Sequence, residues 1–105
     1  MTIIETVKKT EIKTNIKQKK KLPSFYNIVF HNDDSTSMEF VVALLMKVFD
    51  KNYDEAYSLM MKVHEEGKAI VAFYIYEIAE MKRKQAILVS RHYNYPLQLT
   101  LEEKN

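Results

Sequence analysis

Seven consecutive residues, Asn32 to Met38, form the densest group of side chains in the chain that could carry chemistry. The run reads Asn-Asp-Asp-Ser-Thr-Ser-Met and offers two carboxylates, one amide and three hydroxyls. It follows an apolar stretch and precedes a helical pattern, so it is predicted to connect a strand to a helix. Asn, Asp and Ser favour turns and helix caps because their side chains bind nearby backbone N–H groups. Turn formation and helix capping would therefore be enough to explain why these polar residues occur together.

Catalysis is not indicated by the residues of this chain. It contains no cysteine, and its single glycine excludes a glycine-rich phosphate loop or a nucleophile elbow. His64 is followed by Glu65 and Glu66, but adjacent positions of a helix do not face the same way. Asp33 and Asp34 alone offer too few ligands for a hard cation. We therefore expect no enzyme, no metal site and no cofactor.

A binding pocket is better supported by the spacing of the residues. His64 follows Met60 by four positions, so both lie on one side of a predicted helix, and Met38 and Val41 form a similar pair on the helix before it. If the turn at residues 32–34 approaches these faces, its polar groups rim an apolar cavity. Such a cavity suits a ligand with a cationic head and a hydrophobic body. The alternative is an ordinary core with a histidine at a helix end.

The rest of the chain supplies elements that position this turn, in the order β-α-α-β-α-β. Apolar patterns of period two predict the strands, and patterns of period 3.6 predict the helices. The predicted strands span residues 25–31, 69–74 and 97–101, and the predicted helices span 38–49, 52–66 and 75–93. Because the second strand is almost continuously apolar, it is predicted to be central in the sheet. One-faced elements of this kind pack as an α+β two-layer sandwich, with a three-stranded antiparallel sheet covered by three helices.

Local signals predict where two of the helices begin and where one of them ends. Ser37 is the expected N-cap of the first helix, with Thr36 as the other candidate. Asn52 and Glu55 have the spacing of a capping box at the start of the second helix. Gly67, the only glycine, is expected to end that helix in the left-handed conformation.

Charge divides the chain into a basic extension and a mildly acidic domain. Residues 1–21 contain seven lysines and two glutamates, a net charge of +5, whereas the whole chain of 105 residues carries +2. The remainder therefore carries −3. We expect residues 1–22 to be a mobile extension and residues 23–105 to be one folded domain.

The lysines of the extension raise the possibility of nucleic-acid binding by charge alone. The extension has no arginine and no aromatic side chain for base stacking, so a solvated leader is the favoured interpretation and no nucleic acid is expected. No stretch approaches the roughly 20 apolar residues that span a membrane, and no signal-peptide core is visible. With no cysteine present, a cytoplasmic protein is expected.

Several motifs in one order resemble the ClpS family, the bacterial adaptors of Clp proteases. The resemblance covers about residues 23–103 and rests on Asn32-Asp33-Asp34, Thr36, Met38-Glu39-Phe40-Val41, Ala56, Met60, Val63-His64, Gly67-Lys68-Ala69, Glu77-Ile78-Ala79-Glu80, Lys82 and Pro96-Leu97. The family fold is a small α/β domain with an N-terminal extension, in agreement with the predicted order of elements.

The resemblance implies a monomeric adaptor that binds proteins with a destabilising N-terminal residue (Leu, Phe, Tyr or Trp) and delivers them to a ClpA-type or related Hsp100 unfoldase for degradation by the N-end rule. In the family, the residues matching Asn32, Asp33 and His64 bind the free amino group. The implied hydrophobic pocket is lined by Asp33, Thr36, Met38, Val41, Met60, Val63 and Leu97, with Met38 as gatekeeper against β-branched side chains. Glu77 and Lys82 match residues of the surface that faces the unfoldase.

Four positions depart from the family pattern. Ser35 and Ser37 stand where an aromatic residue and a proline are common, Ala72 replaces a common glycine, and Ile75 replaces a threonine that would cap the third helix. The alternative function is a protein-interaction module of similar fold that does not recognise an amine, such as one resembling the C-terminal domain of the ribosomal stalk protein.

Overall fold

The computed structural model describes residues 24–104, which contain three strands and three helices. In chain order they are β1 (Phe25–His31), α1 (Met38–Val48), α2 (Tyr53–Glu66), β2 (Lys68–Ile75), α3 (Tyr76–His92) and β3 (Gln98–Lys104). The predicted α+β class and the order of its elements are confirmed. The extension predicted for residues 1–22 lies outside the described residues.

The strands form an antiparallel sheet in the order β2-β1-β3. The central strand is therefore β1, and the prediction that β2 is central was wrong. The long apolar run of β2 has another cause, because Ile70 and Phe73 are about half exposed (49% and 53%). They lie on the sheet face that the helices leave open. An edge strand that is apolar on both faces has the same sequence pattern as a buried strand.

A β-bulge interrupts the pairing of β1 with β2. Ile28 pairs with Ala72, whereas the next residue, Val29, pairs with Ile70, so Val71 has no partner on β1. Val71 is 3% exposed and belongs to the core. The extra residue therefore lies on the edge strand and packs inward.

The helices cover the other face of the sheet and close the hydrophobic core. Phe30, which is fully buried on β1, packs its ring edge-to-face against Phe49 at the end of α1, with centroids 5.6 Å apart. Other buried members include Ile28, Leu44, Leu45, Ala56, Met60, Val63, Ala79, Ala86, Leu97 and Leu99. Because Phe30 packs across the core from β1 onto α1, the two elements that flank the connecting turn are held in fixed positions.

The predicted helix ends are confirmed by their hydrogen bonds. Ser37 Oγ accepts the N–H of Phe40 at 3.1 Å, which makes Ser37 the N-cap of α1. Asn52 and Glu55 form the reciprocal bonds of a capping box, at 2.8 and 3.0 Å. Gly67 ends α2 with φ of 90°, a conformation that glycine adopts without a Cβ clash.

Lys82 joins α3 to the end of α1. Its Nζ donates to the backbone oxygen of Val48 at 2.8 Å, lies 3.5 Å from a carboxylate oxygen of Asp50, and is 5.6 Å from the ring centroid of Tyr74. The carbonyl of Val48 is at the end of its helix, where it lacks an intrahelical donor and where a positive charge is favoured. The Lys82 side chain is only 19% exposed. Lys82 therefore stabilises the packing of two helices.

Candidate functional site

The turn between β1 and α1 is organised by the carboxylate of Asp33. Oδ1 accepts the backbone N–H groups of Ser35 and Thr36 at 2.8 and 2.7 Å, and Oδ2 accepts the hydroxyl of Thr36 at 2.7 Å. Partial burial alone would raise the pKa of Asp33, but these bonds, together with the positive charge of Arg91, lower it below its usual value. The carboxylate is therefore ionised at neutral pH, and the turn has a defined shape.

Two further hydrogen bonds fix where this turn lies. The backbone N–H of Asn32 donates to the oxygen of Gly67 at 2.9 Å, and Gly67 ends α2. Because His64 lies in the last turn of α2, this bond brings the polar end of β1 close to His64. On the other side, the hydroxyls of Ser37 and Tyr95 are hydrogen-bonded at 3.2 Å. The turn is held between the end of α2 and the segment that follows α3.

A pocket of about 330 Å³ opens between this turn, the start of α1 and the last turns of α2. Its polar lining comprises Asn32, Asp33, Asp34, Thr36, Ser37 and His64, and its apolar lining comprises Met38, Val41, Met60 and Val63. Met38 is 43% exposed, whereas the other three apolar residues are buried. Met38 therefore forms part of the rim and the other three form the apolar wall. We name this feature the amine pocket, after the cationic ligand predicted above.

The structure brings together all but one of the residues predicted to bind the amine or line the hydrophobic pocket. The exception is Leu97, which does not line the cavity. It is 1% exposed in the core, and its backbone oxygen accepts a hydrogen bond from Arg91 at 2.9 Å.

The sequence predicted Asp34 to be at the rim of a cavity, and it predicted Ser37 to be an N-cap at a position where the family commonly has a proline. Both residues line the amine pocket. The Ser37 hydroxyl accepts the N–H of Phe40 and also bonds to Tyr95, 58 residues further along the chain. The first bond follows from local spacing, but no signal in the sequence shows that a capping residue also borders a cavity.

The two residues predicted to face the unfoldase lie on α3 and do not line the amine pocket. Glu77 is exposed in the first turn of α3, where an acidic residue interacts favourably with the helix dipole. Lys82 is largely covered and bonded to the end of α1. These two residues therefore differ in how much of their side chain is available to a partner.

Two general features of the described residues bear on the kind of site. Asp33, Asp34 and His64 all border the amine pocket, yet within residues 24–104 no three His, Asp or Glu side chains are grouped as a metal ion would require. In the same part of the chain, no helix combines the length and the apolar character needed to cross a membrane.

Comparison with known proteins connects this geometry to one family. The model of the family described as "ATP-dependent Clp protease adaptor protein ClpS" matches residues 21–100. The ATP-dependent Clp protease adapter protein ClpS of Treponema denticola is 40% identical over 100 residues, which cover 95% of this chain and 99% of that protein. The protein of the same name from Vibrio atlanticus is 45% identical over 85 residues, covering 81% of this chain and 80% of that protein.

A solved structure is similar to this chain in fold and in sequence. The structure of Agrobacterium tumefaciens ClpS2 bound to L-phenylalaninamide matches with a TM-score of 0.76 and 35% sequence identity. The match covers 79% of this chain and 100% of that chain.

Proposed function

The chain belongs to the ClpS family of ATP-dependent Clp protease adaptor proteins, and from that premise we propose that it binds proteins beginning with Leu, Phe, Tyr or Trp and passes them to a ClpA-type or related Hsp100 unfoldase. An adaptor of this family is a binding protein and not an enzyme. The observation that carries the proposal is the amine pocket, in which Asp33 and His64 border the same cavity as apolar side chains. We propose that the adaptor acts as a cytoplasmic monomer and needs no cofactor.

The polar side of the amine pocket suits the free end of a polypeptide. An α-amino group has a pKa of about 7.7–8.0 and is therefore mainly cationic at neutral pH. A carboxylate offers about four acceptor positions, and the turn occupies three of those on Asp33. The remaining position and the negative charge are available to the amine, with Asn32 and His64 as neighbouring polar partners. Hydrogen bonds between charged groups are stronger than neutral ones.

The apolar side of the pocket suits the first side chain of the substrate. Val41, Met60 and Val63 form a buried wall, and Met38 stands at the rim as the proposed gatekeeper. Burying a Leu or Phe side chain contributes roughly 1.5–3 kcal/mol. That is enough to select among N-terminal residues, but tight binding also requires the amine. The ligand of the similar ClpS2 structure, L-phenylalaninamide, combines these two parts.

Fluorescence anisotropy of labelled peptides tests this function directly. The peptides differ only at their start: a free Leu or Phe, the same residue with its amine acetylated, and a free Val. We expect the free Leu and Phe peptides to bind, and acetylation to weaken binding by at least about a hundredfold because it removes the charge and adds bulk in a fitted site. The Val peptide is expected to bind at least about tenfold more weakly than Leu. Equal affinities across the set, or no binding at all, would contradict the proposal.

The pH dependence of the same binding gives a separate prediction. The lowered pKa of Asp33 keeps its carboxylate ionised at every pH above its usual titration range, so alkaline pH changes the ligand and not this carboxylate. Above about pH 8 the amine loses its proton, and the affinity for a free Leu peptide is expected to fall by up to about tenfold per pH unit. Anisotropy titrations between pH 7 and 9.5 measure this. A constant affinity over that range would show that the cation is not what the site recognises.

Two substitutions on α3 distinguish a residue that is proposed to bind the unfoldase from one that stabilises the fold. Glu77→Ala is expected to weaken binding to the N-terminal domain of the unfoldase by about tenfold, and to lower the stability by less than about 1 kcal/mol through the lost interaction with the helix dipole. Lys82→Ala is expected to lower the stability itself, by about 1–2 kcal/mol, because the carbonyl of Val48 loses its charged donor. Calorimetric binding and thermal unfolding measure the two effects.

Lys84→Ala provides the matched control, since Lys84 lies on the same helix with a side chain that is 68% exposed. We expect it to change stability very little. An unchanged melting temperature for Lys82→Ala would contradict the structural role of Lys82. Full unfoldase binding by Glu77→Ala would contradict the proposed surface.

A further inference from the structure

An apolar groove runs between α1 and α2 beside the amine pocket. It encloses about 440 Å³ and shares Met38 and Met60 with that pocket. Further along, its lining includes Met46 of α1 and the side chains of Tyr53 and Tyr57 of α2. The two cavities are therefore adjacent, with Met38 and Met60 forming their common wall. We name this second cavity the helix groove.

The packing of this chain does not explain why large apolar and aromatic residues of the helix groove are exposed. Met46, Tyr53 and Tyr57 are 38%, 58% and 47% exposed, although each is a large apolar or aromatic residue. The two tyrosine rings stack with centroids 6.1 Å apart, and both line the groove. Contiguous apolar surface of this kind marks binding sites, and methionines allow such a site to adapt to its ligand. Among residues 24–104, Glu39 is the only charged residue that lines the groove.

We infer that the helix groove is a second subsite, which takes a large apolar side chain at the third position of the substrate. This inference rests on the proposed function, because the first residue in the amine pocket sets the register of the bound segment. In an extended chain the side chains alternate in direction, with a rise of about 3.3 Å per residue. The first and third side chains therefore point the same way, ~7 Å apart.

The adjacency of the two cavities favours this occupant. A substrate whose first side chain passes Met38 into the amine pocket can continue along the exposed side of Met38, which also lines the helix groove. The third side chain then meets the groove, and the second points away from it. An aromatic ring in the groove packs against Tyr57 and Met46. An acidic third residue is disfavoured because it lies near Glu39.

Three peptides that begin with a free Leu test the subsite. They read Leu-Ser-Ser, Leu-Ser-Phe and Leu-Phe-Ser, followed by one common labelled sequence, and their affinities are measured by anisotropy. Leu-Ser-Phe is expected to bind about fivefold more tightly than Leu-Ser-Ser, as partial burial of one aromatic side chain would give. Leu-Phe-Ser is expected to match Leu-Ser-Ser.

Variants of the protein assign that gain to the helix groove. Tyr57→Ser and Met46→Ser, which lie outside the amine pocket, are expected to abolish the advantage of Leu-Ser-Phe and to leave the affinity for Leu-Ser-Ser unchanged. Leu88→Ser is the matched control, because Leu88 is 71% exposed on α3 and lines neither cavity. It is expected to preserve the advantage.

Each contrary result has a distinct meaning. If Leu-Ser-Phe and Leu-Ser-Ser bind with equal affinity, and acetylation of the N-terminal amine abolishes the binding of both peptides, the subsite is overturned and the proposed function stays intact. If peptides with free and with acetylated N-termini bind with equal affinity, the proposed function itself is overturned. A gain from Phe at the second position overturns the extended register. A gain at the third position that survives both groove variants overturns the assignment to this groove.

Discussion

Replacing Asp33 with alanine is expected to weaken binding of a peptide with a free N-terminal Leu by at least about a hundredfold. Two losses combine in this variant. The amine loses its proposed charged partner, and removing one member of a charge pair that the bound substrate buries costs about 2–5 kcal/mol. The turn also loses the three hydrogen bonds to Ser35 and Thr36 that give it its shape. Anisotropy with the free Leu peptide measures the combined effect.

Two companion variants separate charge from shape. Asp33→Asn keeps an acceptor oxygen for the turn but has no charge, so we expect it to retain more affinity than Asp33→Ala while remaining well below the unmodified protein. Asp54→Ala removes an exposed carboxylate from the first turn of α2, outside the amine pocket, and is expected to leave affinity unchanged. If Asp33→Ala stayed folded and bound within about threefold of the unmodified protein, the central role of this carboxylate would be disproved.

Replacing Phe30 with alanine is expected to cause the largest loss of stability, about 3–5 kcal/mol. Phe30 is fully buried on the central strand and packs its ring against Phe49 at the end of α1. Truncation leaves a cavity between sheet and helices that close-packed neighbours fill only in part. Because small domains have a total stability of about 5–15 kcal/mol, much of the margin is lost. Urea unfolding followed by circular dichroism measures the change.

The same sheet offers a control that differs mainly in the face it occupies. Phe73 on β2 is 53% exposed on the open face, where its ring contacts Phe25 and the ammonium of Lys104. Phe73→Ala is expected to cost less than about 1 kcal/mol. Similar losses for Phe30→Ala and Phe73→Ala would mean that the two faces of the sheet are equally important for stability, contrary to the described packing.

The features that were predicted correctly depend on residues close together in the chain. The N-cap at Ser37, the capping box at Asn52 and the left-handed end at Gly67 each involve contacts within four residues. A strand order is different in kind, because it depends on which distant segments pair. The apolar run of β2 shows that both of its faces are hydrophobic, but it does not show that only one of them is covered. For that reason its place at the sheet edge could not be predicted.

The residues of the candidate site likewise divide into features that local spacing predicts and features that depend on distant parts of the chain. Helical spacing brought Met60 and His64 to one side of α2, but it could not show whether Met60 belongs to the core or to a cavity. At 4% exposure Met60 belongs to both. The bonds of Lys82 were not predictable, since its partners Val48 and Asp50 lie 34 and 32 residues away. Leu97 was placed at the amine pocket by resemblance; it is 1% exposed in the core and is not among the residues that line the pocket.

The bulge at Val71 has a consequence for aggregation. An edge strand presents unpaired N–H and C=O groups, which can template an amyloid-like stack of further strands, and β2 adds the exposed rings and aliphatic groups of its open face. A bulge bends the strand and breaks the regular spacing of its outer donors and acceptors. A second flat strand therefore cannot pair along the whole of β2. Of the two edge strands of the sheet, β2 is therefore protected against pairing along its whole length.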